Sequence, residues 1–107
     1  LTEHVGDQYL GTMGEKDATD TAIYIRDIKW LQSADAIIAE VTTPSIGVGY
    51  ELGIAEKLKK PVLCLYRHRE NYRISAMIKG NNLFSCQEYH NINEAQSCID
   101  AFFQNLI

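Results

Sequence analysis

A chain of 107 residues and 12.1 kDa has the size of one domain with a single core. Its 46% hydrophobic and 22% charged residues exclude a disordered or fibrous chain, and a net charge of -4 with a pI near 5.2 argues against a nucleic-acid polymer as partner. No apolar stretch approaches the roughly 20 residues of a membrane-spanning helix, so no membrane association is expected.

Residues 1–5 (LTEHV) read as the end of a strand, with no initiator Met, signal peptide or cap ahead of them, so a preceding element is expected. Residues 6–17 are polar, carry Gly6, Gly11 and Gly14, and read as a loop. Thr19 or Asp20 can cap a helix running to about residue 33. Residues 36–42 form a continuous apolar run broken only by Glu40, the pattern of a strand covered on both faces. Beyond Pro44, the spacing of Val48, Leu52, Ala55 and Leu58 predicts a helix over about 48–59, with Lys57, Lys59 and Lys60 at its dipole-favoured end. PVLCLY (61–66) predicts a second buried strand, and a basic excursion follows, with a short helix near 74–79. LFSCQEYH (83–90) predicts a third strand, and Asn93 is expected to cap a final helix. Strands alternating with helices imply an α/β fold with a parallel sheet and helices on both faces. Ligands of such sheets bind beyond the carboxyl ends of the strands, the edge occupied by the turn VTTPSIGVG (41–49).

Three cysteines, Cys64, Cys86 and Cys98, lack a C-x-x-C spacing and point to a reducing intracellular compartment, cytoplasmic or nuclear, with Cys64 buried as a small hydrophobe. His4, His68 and His90 are scattered without paired spacing, so neither a metal site nor a cofactor is expected.

The chemistry concentrates in EVTTPSIGVGYELG (40–53). If Ser45 caps the helix, the backbone N–H groups of Gly47 and Gly49 can hold an anion. Glu51 would project about one turn, roughly 5 Å, further along, the reach of a sugar between a phosphate and a reacting carbon. The plain alternative is that acids are simply favoured in the first turn of a helix. Asp27 lies within the apolar arc formed by Ile23, Tyr24, Ile28, Trp30 and Leu31, with Arg26 assigned to the opposite side; it either caps something structural or faces a cleft. Glu40 reads as a structural acid bonded to a neighbouring loop. Two acids beside one cleft are the recurring apparatus for cleaving glycosidic bonds. Arg67, Arg69, Arg73 and Lys79 either solubilise a loop or offer counter-charge to a phosphate. The G-x-G-x-x-x-G spacing of Gly47, Gly49 and Gly53 is one residue off a dinucleotide fingerprint, which leaves a nicotinamide-type oxidoreductase a distant reading.

The block RDIKWLQSADAIIAEVTTPSIGVGYELGIAEKLKKPVLCLYR, followed by ISAMIKGN, resembles the 2′-deoxynucleoside 5′-phosphate N-hydrolases of the nucleoside 2-deoxyribosyltransferase superfamily over essentially the whole chain. The resemblance implies a flavodoxin-like (Rossmann-like) homodimer that hydrolyses the N-glycosidic bond of deoxynucleoside 5′-monophosphates without a cofactor. It matches Glu51 to the family's nucleophile and Asp27 to the aspartate that orients or protonates groups at the reacting centre. Ser45 and Gly47 match the phosphate-binding residues, beside Gly49 of the same turn. Ser75, Ala76 and Met77 match a stretch lent to the neighbouring subunit's phosphate site. The family's preceding strand and helix, with a G-S-I-R-G-G-type loop, have no counterpart in residues 1–107, so the sheet is expected to be N-terminally incomplete. Two other functions stay open: a transferase passing deoxyribose to another base, and a non-catalytic nucleotide-binding module.

Overall fold

The computed structural model describes residues 19–106; the strand expected at 1–5 and the loop at 6–17 lie outside them. Seven elements alternate along the chain: α1 (Asp20–Ser33), β1 (Ile37–Glu40), α2 (Ile46–Lys57), β2 (Val62–Arg67), α3 (Ala76–Lys79), β3 (Phe84–Tyr89) and α4 (Ile92–Leu106). The described strands form a parallel sheet of order β1-β2-β3, with Ile37 opposite Val62 and Val62 opposite Phe84. Bonds from Ile37 N–H to Pro61 O (2.9 Å) and from Val41 N–H to Leu65 O (2.8 Å) extend the ladder past the ends of β1.

Register and strand alternation sort the side chains into two layers. Ile37, Ala39, Val62 and Cys64 join Leu31 of α1 and Leu52 and Ala55 of α2 in one buried cluster, with Ile78, Phe84 and Cys86 packed against it. The opposite face carries Glu40, Leu63, Leu65 and Gln87; α4 covers Leu63, Ser85 and Gln87 through Ala101 and Phe102. The expected α/β fold with helices on both faces of a parallel sheet is thus present. Cys64 is fully buried, as expected, and burial pushes its thiol up to about 12, with Cys86 beside it adding to the rise. All three cysteines are free thiols.

Local chemistry sets the element ends. Thr19 caps α1, its hydroxyl accepting from Ala22 N–H at 3.1 Å. Ser45 caps α2, so that helix begins two residues before the expected Val48. Its end is a Schellman turn: Lys60 N–H bonds Ala55 O and Lys59 N–H bonds Glu56 O, both at 3.0 Å, with Lys59 at φ 59°. Lys59 therefore occupies a left-handed position that glycine normally takes, and Pro61 then prevents further helix. The cap of α4 is Asn91 instead of the expected Asn93. Asn91 Oδ1 accepts from Glu94 N–H at 2.9 Å, while Glu94 Oε1 reaches back to His90 N–H at 2.8 Å. These two bonds start the helix at Ile92 and leave Asn93 inside its first turn; the Glu94 carboxylate returns to the residue before the cap, His90.

Candidate active site at the carboxyl edge of the sheet

β1 delivers the chain to the carboxyl edge at Glu40, and an anchored turn follows. Glu40 accepts from Thr42 N–H (2.8 Å), from the Thr42 hydroxyl (2.7 Å) and from the Tyr89 hydroxyl (2.5 Å). Thr42 Oγ1 accepts in turn from Arg67 N–H at 2.7 Å, and the Tyr72 hydroxyl donates to the Thr42 carbonyl. Thr42 is 5% exposed, so this mesh fixes the backbone immediately before Pro44 and Ser45. Burial pushes the Glu40 carboxyl upward, but the hydrogen bonds from Tyr89 and Thr42 outweigh it and hold the group below its usual range. The Tyr89 hydroxyl is raised, first because it donates to Glu40. Glu40 is thus the loop-bonded structural acid that the sequence suggests. Thr42, Tyr72 and Tyr89 carry no sequence signal for this role, because only the strand order β1-β2-β3 gathers them.

Beyond the mesh, Ser45 Oγ accepts from Val48 N–H at 3.2 Å and Ser45 O from Gly49 N–H at 3.0 Å. A methyl group on Gly47 would meet Ser45 Oγ only at 4.0 Å, and one on Gly49 would meet nothing within 4 Å. The first turn of α2 is therefore bare to solvent on two sides, and a ligand can approach its backbone closely.

Helical geometry separates the residues of α2 into three strips. Val48, Leu52 and Ala55 face the core. Ser45, Gly49, Gly53 and Glu56 line a groove of about 640 Å³ whose opposite wall includes Tyr72, Arg73, Ser75 and Met77. Glu51 and Gly47 fall on the other flank, and Glu51 is half-buried there. On α1, Tyr24 meets Tyr50 of α2 edge to face, ring centroids 6.4 Å apart, so the two acid-bearing helices run side by side.

The residues singled out in the sequence thus divide into two groups. Ser45, Gly49, Ser75 and Met77 share the groove, and Ala76 opens α3 at its rim with Ser75 as cap. Asp27, Gly47 and Glu51 belong to the α1/α2 side. Asp27 is half-buried and paired with its neighbour: Arg26 Nη2 and Nε reach Asp27 Oδ1 at 2.8 and 2.9 Å. The guanidinium also lies 4.7 Å from the centre of the Trp30 ring. The helical wheel places Arg26 on the opposite side of the helix, but its long side chain folds back past that boundary to Asp27. Of the basic excursion, Arg73 alone among Arg67, Arg69, Arg73 and Lys79 lines the groove; Lys79 Nζ donates to the Tyr66 hydroxyl at 2.7 Å, and Arg69 lies over the Tyr72 ring.

A parallel sheet whose carboxyl edge carries a serine-capped, glycine-opened helix, with half-buried acids on that helix and its neighbour, defines a class: α/β domains that take a small ligand at the strand ends. Comparison with known proteins narrows the class. The chain belongs to the nucleoside 2-deoxyribosyltransferase family, whose model matches residues 2–103. It is 46% identical over 109 residues to a 5-hydroxymethyl-dUMP N-hydrolase of Tetraodon nigroviridis, covering 98% of this chain and 76% of that protein. The human protein of the same name is 44% identical over 108 residues, 97% of this chain and 62% of its own length. A putative 2′-deoxynucleoside 5′-phosphate N-hydrolase 1 of Nematostella vectensis is 58% identical over 82 residues, 75% of this chain and 55% of that protein. The chain therefore spans between about half and three quarters of these relatives.

Proposed function

We propose that this chain hydrolyses the N-glycosidic bond of 2′-deoxynucleoside 5′-monophosphates, releasing the free base and deoxyribose 5-phosphate. The names of its relatives favour 5-hydroxymethyl-dUMP as one substrate. One observation carries the reading: a half-buried carboxylate, Glu51, rides on the same helix whose first turn is capped by Ser45 and left open at Gly47 and Gly49. The phosphate would sit on the N–H groups of Ile46 and Gly47 at the start of that turn, where the helix dipole favours an anion; the Val48 and Gly49 N–H groups already bond Ser45, so Gly49 contributes open space instead of the donor expected from the sequence. Glu51, about a turn and a half from the cap, would then meet C1′ of the sugar.

In the proposed reaction, the Glu51 carboxylate attacks C1′ as the C1′–N bond breaks, and the base departs with a proton. Asp27 orients the reacting groups or supplies that proton. Water then cleaves the deoxyribosyl–Glu51 ester, returning the carboxylate. A second copy would bring its Ser75–Met77 stretch to the phosphate; in support, Met77 is 85% and Ile46 95% exposed beside the groove. Among the described residues no helix is long and apolar enough to cross a membrane. The free thiols support a reducing intracellular compartment, cytoplasmic or nuclear.

Chromatographic detection of free base tests the reading. Base should appear from 5-hydroxymethyl-dUMP or another deoxynucleoside monophosphate, and far more slowly from the nucleoside lacking phosphate. Glu51→Ala should abolish release while leaving the far-UV circular dichroism unchanged. No release from any monophosphate by the wild-type chain would overturn the proposal. The family's own description favours a second reading, deoxyribosyl transfer; addition of a free acceptor base would then generate a new nucleotide in place of deoxyribose 5-phosphate.

A further inference from the structure

Two histidines outside the proposed reaction come together at the far side of the same sheet edge. Arg67 and Tyr89 are opposite one another in the parallel ladder, and His68 and His90 are the next residues of each strand. Their imidazoles stack with centroids 4.7 Å apart and planes inclined by 26°. Glu88 sends Oε2 to within 2.9 Å of His68 Nδ1, and one donor atom from each of His68, Glu88 and His90 lies within 4.8 Å of the others. Behind His90, Glu94 Oε1 is 2.9 Å from Nδ1 and is itself fixed by the His90 backbone N–H. With Nδ1–H donated to Glu94, Nε2 of His90 keeps its lone pair. A carboxylate behind an imidazole is the support that metal-bound histidines commonly have. Glu70 adds a third carboxylate, 3.9 Å from His68 Nε2.

We propose that His68, Glu88 and His90 bind a divalent transition-metal ion of the zinc class, with Glu94 as the positioning residue for His90. Two imidazoles and one carboxylate, with water in the fourth place, form a donor set that zinc accepts and that magnesium or calcium does not prefer. Metal–donor bonds of about 2.1 Å place tetrahedral donors about 3.4 Å apart, so a separation of up to 4.8 Å must close by up to about 1.4 Å. The side chains are free enough to do so, being 43%, 42% and 56% exposed for His68, Glu88 and His90. Glu70, Glu88 and Glu94 give the site the negative charge that a dication requires. The ion would tie the end of β2 to the start of α4, at the ends of the two strands beyond β1, whose turn holds Ser45. None of its residues takes part in the proposed hydrolysis.

The test is calorimetric titration of the whole protein with zinc chloride in a non-chelating buffer, alongside thermal unfolding. One ion per chain should bind with micromolar affinity and raise Tm. His68→Gln and His90→Gln should each weaken binding severely, and Glu94→Gln should weaken it about 10-fold or more. Cys98→Ser, which removes the half-buried thiol lining the hollow beside Glu88 and Glu94, should leave binding intact. Cobalt substituted for zinc should show the visible absorption of a tetrahedral centre in the wild type and lose it in the histidine variants. Because both histidines are exposed, the variants should fold; circular dichroism checks this, and Glu88→Gln replaces any that does not. Binding unaffected by the two histidine substitutions, binding lost in Cys98→Ser, or no binding at millimolar zinc would each overturn the proposal.

Discussion

Tyr89→Phe removes one hydroxyl and little else, and it strikes the mesh that fixes the candidate site. The Tyr89 hydroxyl donates at 2.5 Å to Glu40 Oε2, the same oxygen that receives the Thr42 hydroxyl at 2.7 Å. A hydrogen bond to a charged group contributes about 1.5–3 kcal/mol net, and half-burial of Glu40 points to the low end, about 1.5 kcal/mol. For a chain of this length that loss lowers Tm by about 6–10 °C. Glu40→Gln should cost more, about 3 kcal/mol, because the amide nitrogen that replaces one oxygen donates and does not accept, so either Thr42 N–H or the two hydroxyls lose their acceptor. Acid should narrow the gap between wild type and Tyr89→Phe. The folded value of Glu40 lies below its ordinary 4.5, so the stability it contributes is fully present above 4.5 and is lost as pH falls through the lower folded value. Urea unfolding followed by circular dichroism, at neutral pH and through that window, measures both effects. A neutral-pH difference below about 0.5 kcal/mol, or one that persists undiminished in strong acid, would refute the assignment of the mesh. The variant should also bind the monophosphate more weakly, since Thr42 leads directly into the Ser45 turn.

Other substitutions probe separate links. Ser45→Ala should cost about 1 kcal/mol of stability through the lost cap, and raise KM for a monophosphate far more than for the nucleoside. Lys59→Gly should stabilise the chain by about 1 kcal/mol, read as a higher urea midpoint, because it relieves a side chain held at φ 59°. Leu52→Ala, at 1% exposure in the central cluster, should cost about 2–5 kcal/mol in the same assay. Met77→Asp should shift sedimentation towards the monomer and lower activity together, if the groove rim is shared between copies.

The alternation of buried strands and periodic helices was legible from the sequence because each element states its own period locally. Ser45 as cap and the solvent-bare turn at Gly47 and Gly49 were legible for the same reason. Asn91 and Asn93 both stand three residues before an acceptor side chain, Glu94 and Gln96, so the capping-box offset alone does not choose between them; the structure selects Asn91, whose Oδ1 accepts from Glu94 N–H. The Arg26–Asp27 pair defeats a helical wheel because a long guanidinium does not respect the 100° step. Glu40, Thr42, Tyr72 and Tyr89, and likewise His68 and His90, meet only once β1, β2 and β3 are placed in order and register. Contacts of that kind are set by the sheet and leave no spacing in the chain.

The most direct test of the central claim is to look for the ester. A monophosphate mixed with the chain, quenched in acid within milliseconds and weighed intact, should show one added deoxyribose phosphate. Peptide mapping should place it on Glu51, and Glu51→Ala should show none. Rapid base release with no adduct at any quench time, or an adduct on another residue, would contradict the account.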